Sequence, residues 1–440
     1  MCLEHEYEAV YTLDLCLYHN FSIRRYKNMN VRVEKACGID VHKSFLVATI
    51  LTCDGAKETK EFNTGLEDLI NLRDWIIERH CQRVAVESTG IYWTPLYTCL
   101  EGKVETIVAN PRYIKNIPGR KTDNLDSEWI AELCLNGQIK PSFIPSKEIR
   151  ELRDLTRTRT KTIQSMTAFK NRVHKVLQRA NIKISGVLKD IFGIAGLQIL
   201  NGIMNGKCID DVLKVVKRVG KKKAAIKEAV RGELSQIDIW LIRECLEVID
   251  SLKAKINRLD SMINQHIEKQ QKQDQLQILM SIYGISYKSG SAILAEIGDV
   301  NVFPCPKSLV GWSGLAPALN ESAGKSSNGH ITKKGSKYLR RMLVQCAHVI
   351  ARGRPSRLRF FYQRILMKKG KKIAIVALAR KLLSIIHHLL KNNEKYNEED
   401  PKTKKARIPK FQAISLPSLD EMIEIISKAG YTVDNISQED

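Results

Sequence analysis

The sequence predicts an α/β domain, followed by a long helical or coiled-coil region and a mostly α-helical C-terminal domain. Short apolar runs between residues 36 and 87 are typical of buried strands. Apolar residues then recur at heptad spacing between residues 149 and 263, which is typical of long paired helices. The predicted boundaries are 1–30 for an N-terminal extension, 31–146 for the α/β domain, 147–270 for the helical region with a small insert, 271–392 for the C-terminal domain and 393–440 for a tail.

Two acidic residues stand at predicted strands of the α/β domain. Asp40 ends one apolar run, and a second run, 45–51, follows before a turn, so the pattern predicts a hairpin. Glu87 closes the short apolar run 84–86 and is expected to lie at a strand end. A carboxylate within an apolar strand is costly unless it is paired or binds a metal ion.

Two more acidic residues share the first turn of a predicted helix that Thr122 can cap. Asp123 and Asp126 are three residues apart and therefore lie on one face of this helix. Each acid alone has an ordinary explanation, because acidic residues favour turns and helix N-termini. Together with Asp40 and Glu87 they match the pattern of a site for two magnesium ions, which clamp the attacking and leaving oxygens in phosphodiester cleavage.

Two heptad patterns predict the long helices. The first is interrupted by Arg159 and Lys170, and the second is regular. They fit an antiparallel or intersubunit coiled coil, and an ordinary helical-bundle core fits equally well. The linker at 183–235 is expected to fold as a small helical insert. The apolar positions are Ile149, Leu152, Thr156, Ile163, Met166, Val173, Leu177 and Ala180 in the first pattern, and Ile242, Cys245, Ile249, Leu252, Ile256, Leu259 and Ile263 in the second.

The C-terminal domain begins with a predicted helical pair, 278–283 and 289–297, joined at Gly284. A glycine-bearing turn can expose backbone amides to a phosphate, so the pair resembles a helix-hairpin-helix. Many helical hairpins have such a turn without binding nucleic acid. The following segment, 311–341, is rich in Gly, Ser and Lys, and predicts a mobile loop near phosphates.

Charge and cysteine usage bound the class of protein. A formal net charge of +23 over 440 residues indicates a nucleic-acid partner, although ribosomal and membrane-surface proteins can be equally basic. The sequence has no uninterrupted apolar stretch of membrane-spanning length and no signal-peptide pattern, so we expect no membrane partner and a cytoplasmic location. The eleven cysteines lack metal-ligand spacing and are expected to be small buried residues in a reducing compartment.

Three N-terminal motifs, GIDVHK, ESTGIYW and KTDNLDSEWIA, resemble the DEDD transposases of insertion sequences. The resemblance implies a RuvC-like N-terminal domain with an RNase H fold. Downstream, IYGISYKSGSAILAEIGDV, LVGWSGLAPALNESAGKSSNGHITKKGSKYLRRML and IAIVALARKLLSIIHHLL resemble the second conserved domain of the same family. The resemblance therefore covers residues 36 to 392 in matching order, and residues 1–30 match nothing in the family.

The resemblance also implies a serine nucleophile that attacks DNA. Gly314, Leu315 and Pro317 match the motif that precedes it, which places that serine at Ser322. The family commonly has two glycines next, whereas this chain has alanine and then glycine, so the loop geometry differs. The alternative nucleophiles are Ser326 and Ser327. The candidate phosphate-binding residues are Arg120, Lys121, Arg157, Arg159, Lys325, Lys333 and Arg340.

The function implied is that of an insertion-sequence transposase or site-specific recombinase. The family pattern implies two Mg²⁺ ions, a transient serine–DNA link, donor and target DNA, a structured guide RNA and a homo-oligomer from dimer to tetramer, in which the serine domain of one subunit completes the site of another. Its setting would be the bacterial-type, nucleoid-associated cytoplasm. Two alternatives remain: a RuvC-like structure-selective endonuclease with water as nucleophile, and a non-catalytic nucleic-acid-binding derivative.

Overall fold

The computed structural model describes residues 32–88, 90–111, 126–217, 219–322 and 325–398. Two compact units divide the chain, unit 1 at residues 1–146 and unit 2 at residues 147–440. The predicted N-terminal extension and most of the predicted tail lie outside the described residues. The prediction of an α/β N-terminal region followed by a helical C-terminal region is confirmed.

Unit 1 contains a five-stranded mixed sheet in the order β3-β2-β1-β4-β5. The predicted hairpin is confirmed, because β1 and β2 pair antiparallel, and β3 continues this antiparallel half. On the other side of β1, strands β4 and β5 run parallel to it. The strands are Lys35–Val41 (β1), Phe45–Thr52 (β2), Lys57–Asn63 (β3), Arg83–Glu87 (β4) and Glu105–Ala109 (β5).

Among the described residues of unit 1, three helices cover the sheet. They are Leu66–Glu78 (α1), Trp93–Leu100 (α2) and Asp126–Leu135 (α3). Alternate residues of β1 serve two separate cores: Ile39 packs with α1 and α2, whereas Ala36 packs with α3. Burial raises the pKa of Cys134 on α3 to about 12, which fits the prediction of a small buried residue, whereas Cys53 and Cys208 are exposed and that prediction is wrong for them.

Unit 2 begins with two long helices, Lys147–Arg179 (α4) and Gln236–Lys269 (α9). They run antiparallel within one chain, as three contacts along their length show: the Glu148 carbonyl with His266, Arg159 with Asp260, and Arg179 with Asp238. Residues near the start of α4 therefore contact residues near the end of α9, and residues near the end of α4 contact residues near the start of α9. The helices are a hairpin whose far end carries the insert.

The insert between α4 and α9 is helical and has its own core. Its helices are Ile184–Val187 (α5), Ile194–Met204 (α6), Ile209–Val215 (α7) and Lys223–Ala229 (α8), with a 3₁₀ turn at Gly220–Lys222. Buried residues of the insert, such as Ile199 and Leu213, pack with Val173 of α4 and Ile249 of α9. The insert therefore caps the far end of the helical hairpin.

The described residues of unit 2 that follow α9 form a helical domain around one large core. Its helices are Gln273–Met280 (α10), Tyr287–Ile297 (α11), Pro306–Ser313 (α12), Lys337–Arg352 (α13), Arg357–Lys369 (α14) and Lys371–Asn392 (α15), with a 3₁₀ turn at Val300–Val302. By length and composition α15 could cross a membrane, yet Leu378, Leu382 and Ile386 are fully buried in this core. Its apolar character is that of a core helix.

The segment predicted as a mobile loop contains regular structure. Pro317–Ser322 (β6) and Lys325–Ile331 (β7) pair as an antiparallel hairpin between α12 and α13. The composition was misleading because the strands are polar and contain few β-branched residues, so backbone pairing and not side-chain propensity holds them.

Candidate active site

Strand register brings two of the predicted carboxylates to one edge of the unit 1 sheet. Ile39 of β1 is paired with Val86 of the parallel strand β4, so Asp40 and Glu87 follow at the same level. Side chains alternate along a strand, and Ile39 faces α1 and α2. Asp40 and Glu87 therefore both lie on the face that α3 covers, at the carboxyl ends of adjacent strands.

Helix α3 brings the third carboxylate to the same edge. The Ser127 hydroxyl lies 2.8 Å from the Thr49 hydroxyl on β2, and Thr49 is opposite Gly38 of β1. At its other end, the carbonyl of Leu135 accepts a 3.1 Å hydrogen bond from the Val33 amide. The helix thus runs antiparallel to β1, so its N-terminal residue, Asp126, lies at the end of the sheet where Asp40 stands.

A glycine allows α3 to approach the sheet this closely. A Cβ atom on Gly38 would lie 2.2 Å from both the Ser127 carbonyl oxygen and the Ala131 backbone nitrogen. Real Cβ contacts are never this short, so any larger residue would push α3 outward. Gly38 therefore controls how far Asp126 stands from Asp40.

His42 belongs to this edge, although the sequence interpretation gave it no role. Its Nε2 atom lies 3.0 Å from Oδ2 of Asp40, whose side chain is 18% exposed. The imidazole also stacks on Phe45, with ring centroids 4.4 Å apart. The available signal was spacing, because residues i and i+2 of a strand point to the same side.

In unit 2, the predicted nucleophile lies at the tip of the β6–β7 hairpin. Ser322 is the last residue of β6, and its backbone is paired with that of Lys325. The base of the hairpin is closed by two backbone hydrogen bonds, Thr332 to the Ala316 carbonyl at 2.9 Å and Lys333 to the Gly314 carbonyl at 3.1 Å. The hairpin is thus fastened at its base and carries Ser322 at its far end.

A buried ion pair holds the helix that follows the hairpin. Glu296 of α11 is 2% exposed, and its two carboxylate oxygens accept hydrogen bonds of 2.7 and 2.9 Å from Arg157 of α4. The Ser336 hydroxyl donates a 2.7 Å hydrogen bond to the same carboxylate and caps α13 by accepting from the Leu339 amide. One carboxylate therefore joins α4, α11 and the start of α13.

Electrostatics keep this carboxylate ionised. Burial alone would raise the pKa of Glu296, but the hydrogen bonds from Arg157 and Ser336 outweigh it, and the net pKa is lowered. Arg153, one turn before Arg157, donates to the carbonyls of Ala295 and Glu296 at 2.8 and 2.6 Å. These bonds satisfy the C-terminal carbonyls of α11 and fix α4 to it.

A second arginine fastens the segment between the hairpin and α13. Arg340 donates hydrogen bonds of 2.9 Å to the carbonyls of Ser313 and Gly335. Burial lowers the pKa of Arg340. The end of α12 and the start of α13 are therefore held together where the hairpin leaves and re-enters the helical domain.

Two family comparisons agree with this architecture. Residues 37–182 match a family described as "Transposase", and residues 276–363 match the "Transposase IS116/IS110/IS902 family". The chain belongs to this family of transposases. It is therefore a DNA transposase or recombinase.

Relatives of this transposase include both transposases and an inverting protein. A "Probable family 20 transposase" of Pseudomonas aeruginosa is 26% identical over 71% of this chain and 85% of its own length. A "Pilin gene-inverting protein" of Moraxella lacunata is 24% identical over 82% of this chain and 97% of its own length. A transposase for an insertion sequence element of Coxiella burnetii is 22% identical over 67% of this chain and 73% of its own length.

The family implies a divalent metal cofactor, and the donor set of unit 1 suits one. Asp40, Glu87 and Asp126 offer carboxylate oxygens, the ligands that hard divalent cations prefer. Within the described residues, no three His, Cys, Asp or Glu side chains already converge as a metal site. Asp123, the fourth predicted ligand, lies outside those residues. The fold thus gathers the carboxylate-bearing residues, and their side chains would have to turn to meet around an ion.

The predicted phosphate-binding residues have different surroundings in this transposase. Arg157 binds Glu296, and Arg159 binds Asp260, so both guanidinium groups have carboxylate partners that the sequence interpretation did not foresee. Arg340 donates hydrogen bonds to the backbone carbonyls of Ser313 and Gly335 next to the hairpin. Lys333 is exposed with φ of 56°, and Lys325 lies in β7. Arg120 and Lys121 fall outside the described residues.

Proposed function

We propose that this transposase moves an insertion sequence by metal-dependent cleavage and exchange of DNA strands, with Ser322 as a covalent nucleophile. The observation that carries the proposal is the backbone placement of Asp40, Glu87 and Asp126 at one edge of the unit 1 sheet. Carboxylates from separate strands and a helix are what metal-assisted phosphodiester cleavage needs.

For unit 1 the proposal includes an RNase H-like, RuvC-like fold. The sheet supports it, since it is mixed, with an antiparallel half followed by a parallel half and helices on both faces. Asp40, Glu87, Asp123 and Asp126 would hold two Mg²⁺ ions, which when bound stabilise the negative charge that develops during cleavage. His42 would orient the Asp40 carboxylate, because its Nε2 atom contacts one of the two carboxylate oxygens.

The proposed covalent step belongs to Ser322. Its Oγ atom forms a bond to the phosphorus while the bond from phosphorus to a deoxyribose oxygen breaks. The serine loses a proton, and the departing oxygen takes one up as a hydroxyl. Attack by a hydroxyl of the exchange strand then reverses these bond changes and releases the serine, so no nucleotide cofactor is consumed. The hairpin suits this role because it presents Ser322 at its tip.

The partners in this proposal are donor and target DNA and a structured guide RNA, handled by a dimer or tetramer in the bacterial cytoplasm. The net charge of +23 supports the nucleic-acid partners, because attraction to phosphates is the usual use of such an excess. Lys325 and Lys333 are the strongest candidates for the scissile phosphate, since both lie in or next to the hairpin that carries Ser322.

The carboxylate edge is tested with four conservative variants, Asp40→Asn, Glu87→Gln, Asp123→Asn and Asp126→Asn. Each keeps the size of the side chain and removes its charge. We expect strand cleavage in Mg²⁺ to fall by roughly 1,000-fold or more, with little change in DNA affinity. The matched control is Glu67→Gln, which removes an exposed carboxylate of unit 1 from the first turn of α1.

The control variant is expected to cleave at the normal rate. Normal cleavage by any of the four test variants would remove that residue from the proposed site. If all four lose cleavage but Ser322→Ala retains it, water is the nucleophile and the protein is a hydrolytic nuclease, which contradicts the covalent part of the proposal.

A further inference from the structure

Helix α14 has an outward face that combines cations with large apolar side chains. It turns Leu358 into the core of unit 2, while Phe360, Arg364, Met367 and Lys368 follow at a spacing of four, seven and eight residues. Residues at this spacing share one side of a helix. Phe360 is 58% exposed and Met367 is 79% exposed, so two large apolar groups stand in solvent among positive charges.

The stretch of sequence that contains this outward face carries only positive charge. No Asp or Glu occurs in the sequence between Glu321 and Glu394, an interval that contains the whole of α13, α14 and α15. Lys371 and Lys372 follow at the start of α15 and are exposed. An acidic side chain reaches the start of the region from outside the interval, where Glu398 lies 3.5 Å from Arg354. The surface therefore suits a polyanion.

The exposed ring decides which polyanion fits. A duplex presents phosphates on its outside and keeps its bases stacked within, so it would engage only the cations. Unpaired bases offer an apolar face that stacks on an aromatic side chain, while Arg and Lys hold the phosphates between them. We infer that the outward face of α14, on which Phe360 is followed by Arg364 and then by Lys368, binds a single-stranded stretch of nucleic acid.

A membrane surface is the competing partner, since basic helices with exposed apolar groups also bind anionic lipids. Interfacial helices bury a broad apolar face in the lipid. The apolar face of α14 is already packed in the protein core through Leu358, Tyr362 and their neighbours. Phe360 and Met367 alone are too small an apolar area, whereas one ring suffices to stack a base.

This inference deepens the proposed function, because strand exchange passes through unpaired strands, but its test needs no cleavage. Binding of full-length protein without Mg²⁺ is measured by fluorescence anisotropy on a labelled single strand and on a duplex of the same length. Phe360→Ala should weaken single-strand binding by roughly 5- to 150-fold and change duplex binding by less than about twofold. Phe360→Trp should retain single-strand binding.

The matched control is Trp240→Ala on α9. The exposed fraction of Trp240, 59%, is similar to that of Phe360, but the acidic residue Glu244, four residues on, shares its side of the helix. This variant should bind both oligonucleotides normally. Arg364→Ala should weaken both forms and lower the slope of log affinity against log salt by about one.

Two results would overturn the inference. One is an equal loss of single-strand and duplex binding in Phe360→Ala, or an equal loss in Trp240→Ala. The other is unchanged oligonucleotide binding in Phe360→Ala together with a Phe360-dependent binding to phosphatidylserine vesicles, which would assign the face to a membrane. Loss of cleavage in the carboxylate variants bears on the proposed function alone, so the two failures are distinguishable.

Discussion

The carboxylate edge of unit 1 and the serine hairpin of unit 2 are positioned by different means. At the carboxylate edge, backbone geometry positions the residues. The parallel register of β1 and β4 aligns Asp40 with Glu87, and Gly38 sets the distance between α3 and the sheet. At the hairpin, backbone hydrogen bonds close the base, and side chains hold the start of the helix that follows it, through the bonds of Arg157 and Ser336 to Glu296. The first should respond to steric changes, and the second to changes of charge.

The largest effect is expected for Glu296→Ala. The substitution leaves Arg157 without its carboxylate and removes the acceptor of the Ser336 hydroxyl. Losing one partner of a buried pair typically costs about 3–5 kcal/mol, and the partial exposure of Arg157 puts the expected value near about 3 kcal/mol. Urea denaturation of unit 2 measures this cost. Glu247→Ala, an exposed carboxylate on α9, should stay within about 0.5 kcal/mol of the parent.

Gly38→Ala should have the next largest effect, in unit 1. Overpacking a close-packed contact typically costs about 1–3 kcal/mol, and here the added methyl meets backbone atoms that cannot turn aside. Because α3 would move outward and take Asp126 with it, strand cleavage should fall more than stability explains. The control is Gly65→Ala, where a Cβ would meet no atom closer than 3.5 Å. Cleavage by Gly38→Ala at the normal rate would show that α3 does not position the site.

Acid should weaken unit 2 through the same buried pair. The folded-state pKa of Glu296 is depressed, because its bonds to Arg157 and Ser336 outweigh the effect of burial. Its contribution to stability is therefore full above the ordinary pKa of glutamate, about 4.3, and is lost as pH falls through the lower folded-state value. Denaturation curves of the parent and of Glu296→Gln should converge as pH falls from 5. Parallel pH dependence of the two would contradict this assignment.

The smallest effect is expected for Ser127→Ala. The variant removes the hydroxyl contact between α3 and β2, but Thr49 keeps a second partner in the Thr59 hydroxyl at 3.0 Å. We expect a loss of about 1 kcal/mol in the stability of unit 1 and a modest loss of cleavage. Thr98→Ala, an exposed hydroxyl on α2, should change neither. A large loss of cleavage in Ser127→Ala would mean that Ser127 contacts the reacting groups.

The sequence was informative where local pattern determines structure. Apolar runs placed Asp40 on a strand and Glu87 at a strand end, and heptads placed the long helices, because burial demands those spacings. The glycine and lysine content of the segment around Ser322 led to the wrong prediction of a mobile loop. Its two strands form because they pair with each other. Composition does not report such pairing.

Partners far apart in sequence could not be predicted. Arg157 and Arg159 were expected to hold phosphates, yet Glu296 lies 139 residues from the first and Asp260 lies 101 residues from the second. A single sequence contains no signal for such pairs. His42 differs, because its spacing of two residues from Asp40 is visible in the sequence. No role was nevertheless predicted for it.

The central claim is that Ser322 attacks a DNA phosphate, and a trapping experiment tests it most directly. The full-length protein is incubated with DNA and Mg²⁺, denatured, and digested for mass spectrometry. We predict a denaturant-resistant protein–DNA adduct on the peptide that contains Ser322, its loss in Ser322→Ala with DNA binding preserved, and its persistence in Ser326→Ala and Ser327→Ala. Normal strand cleavage by Ser322→Ala, or an adduct that maps to another residue, would contradict the claim.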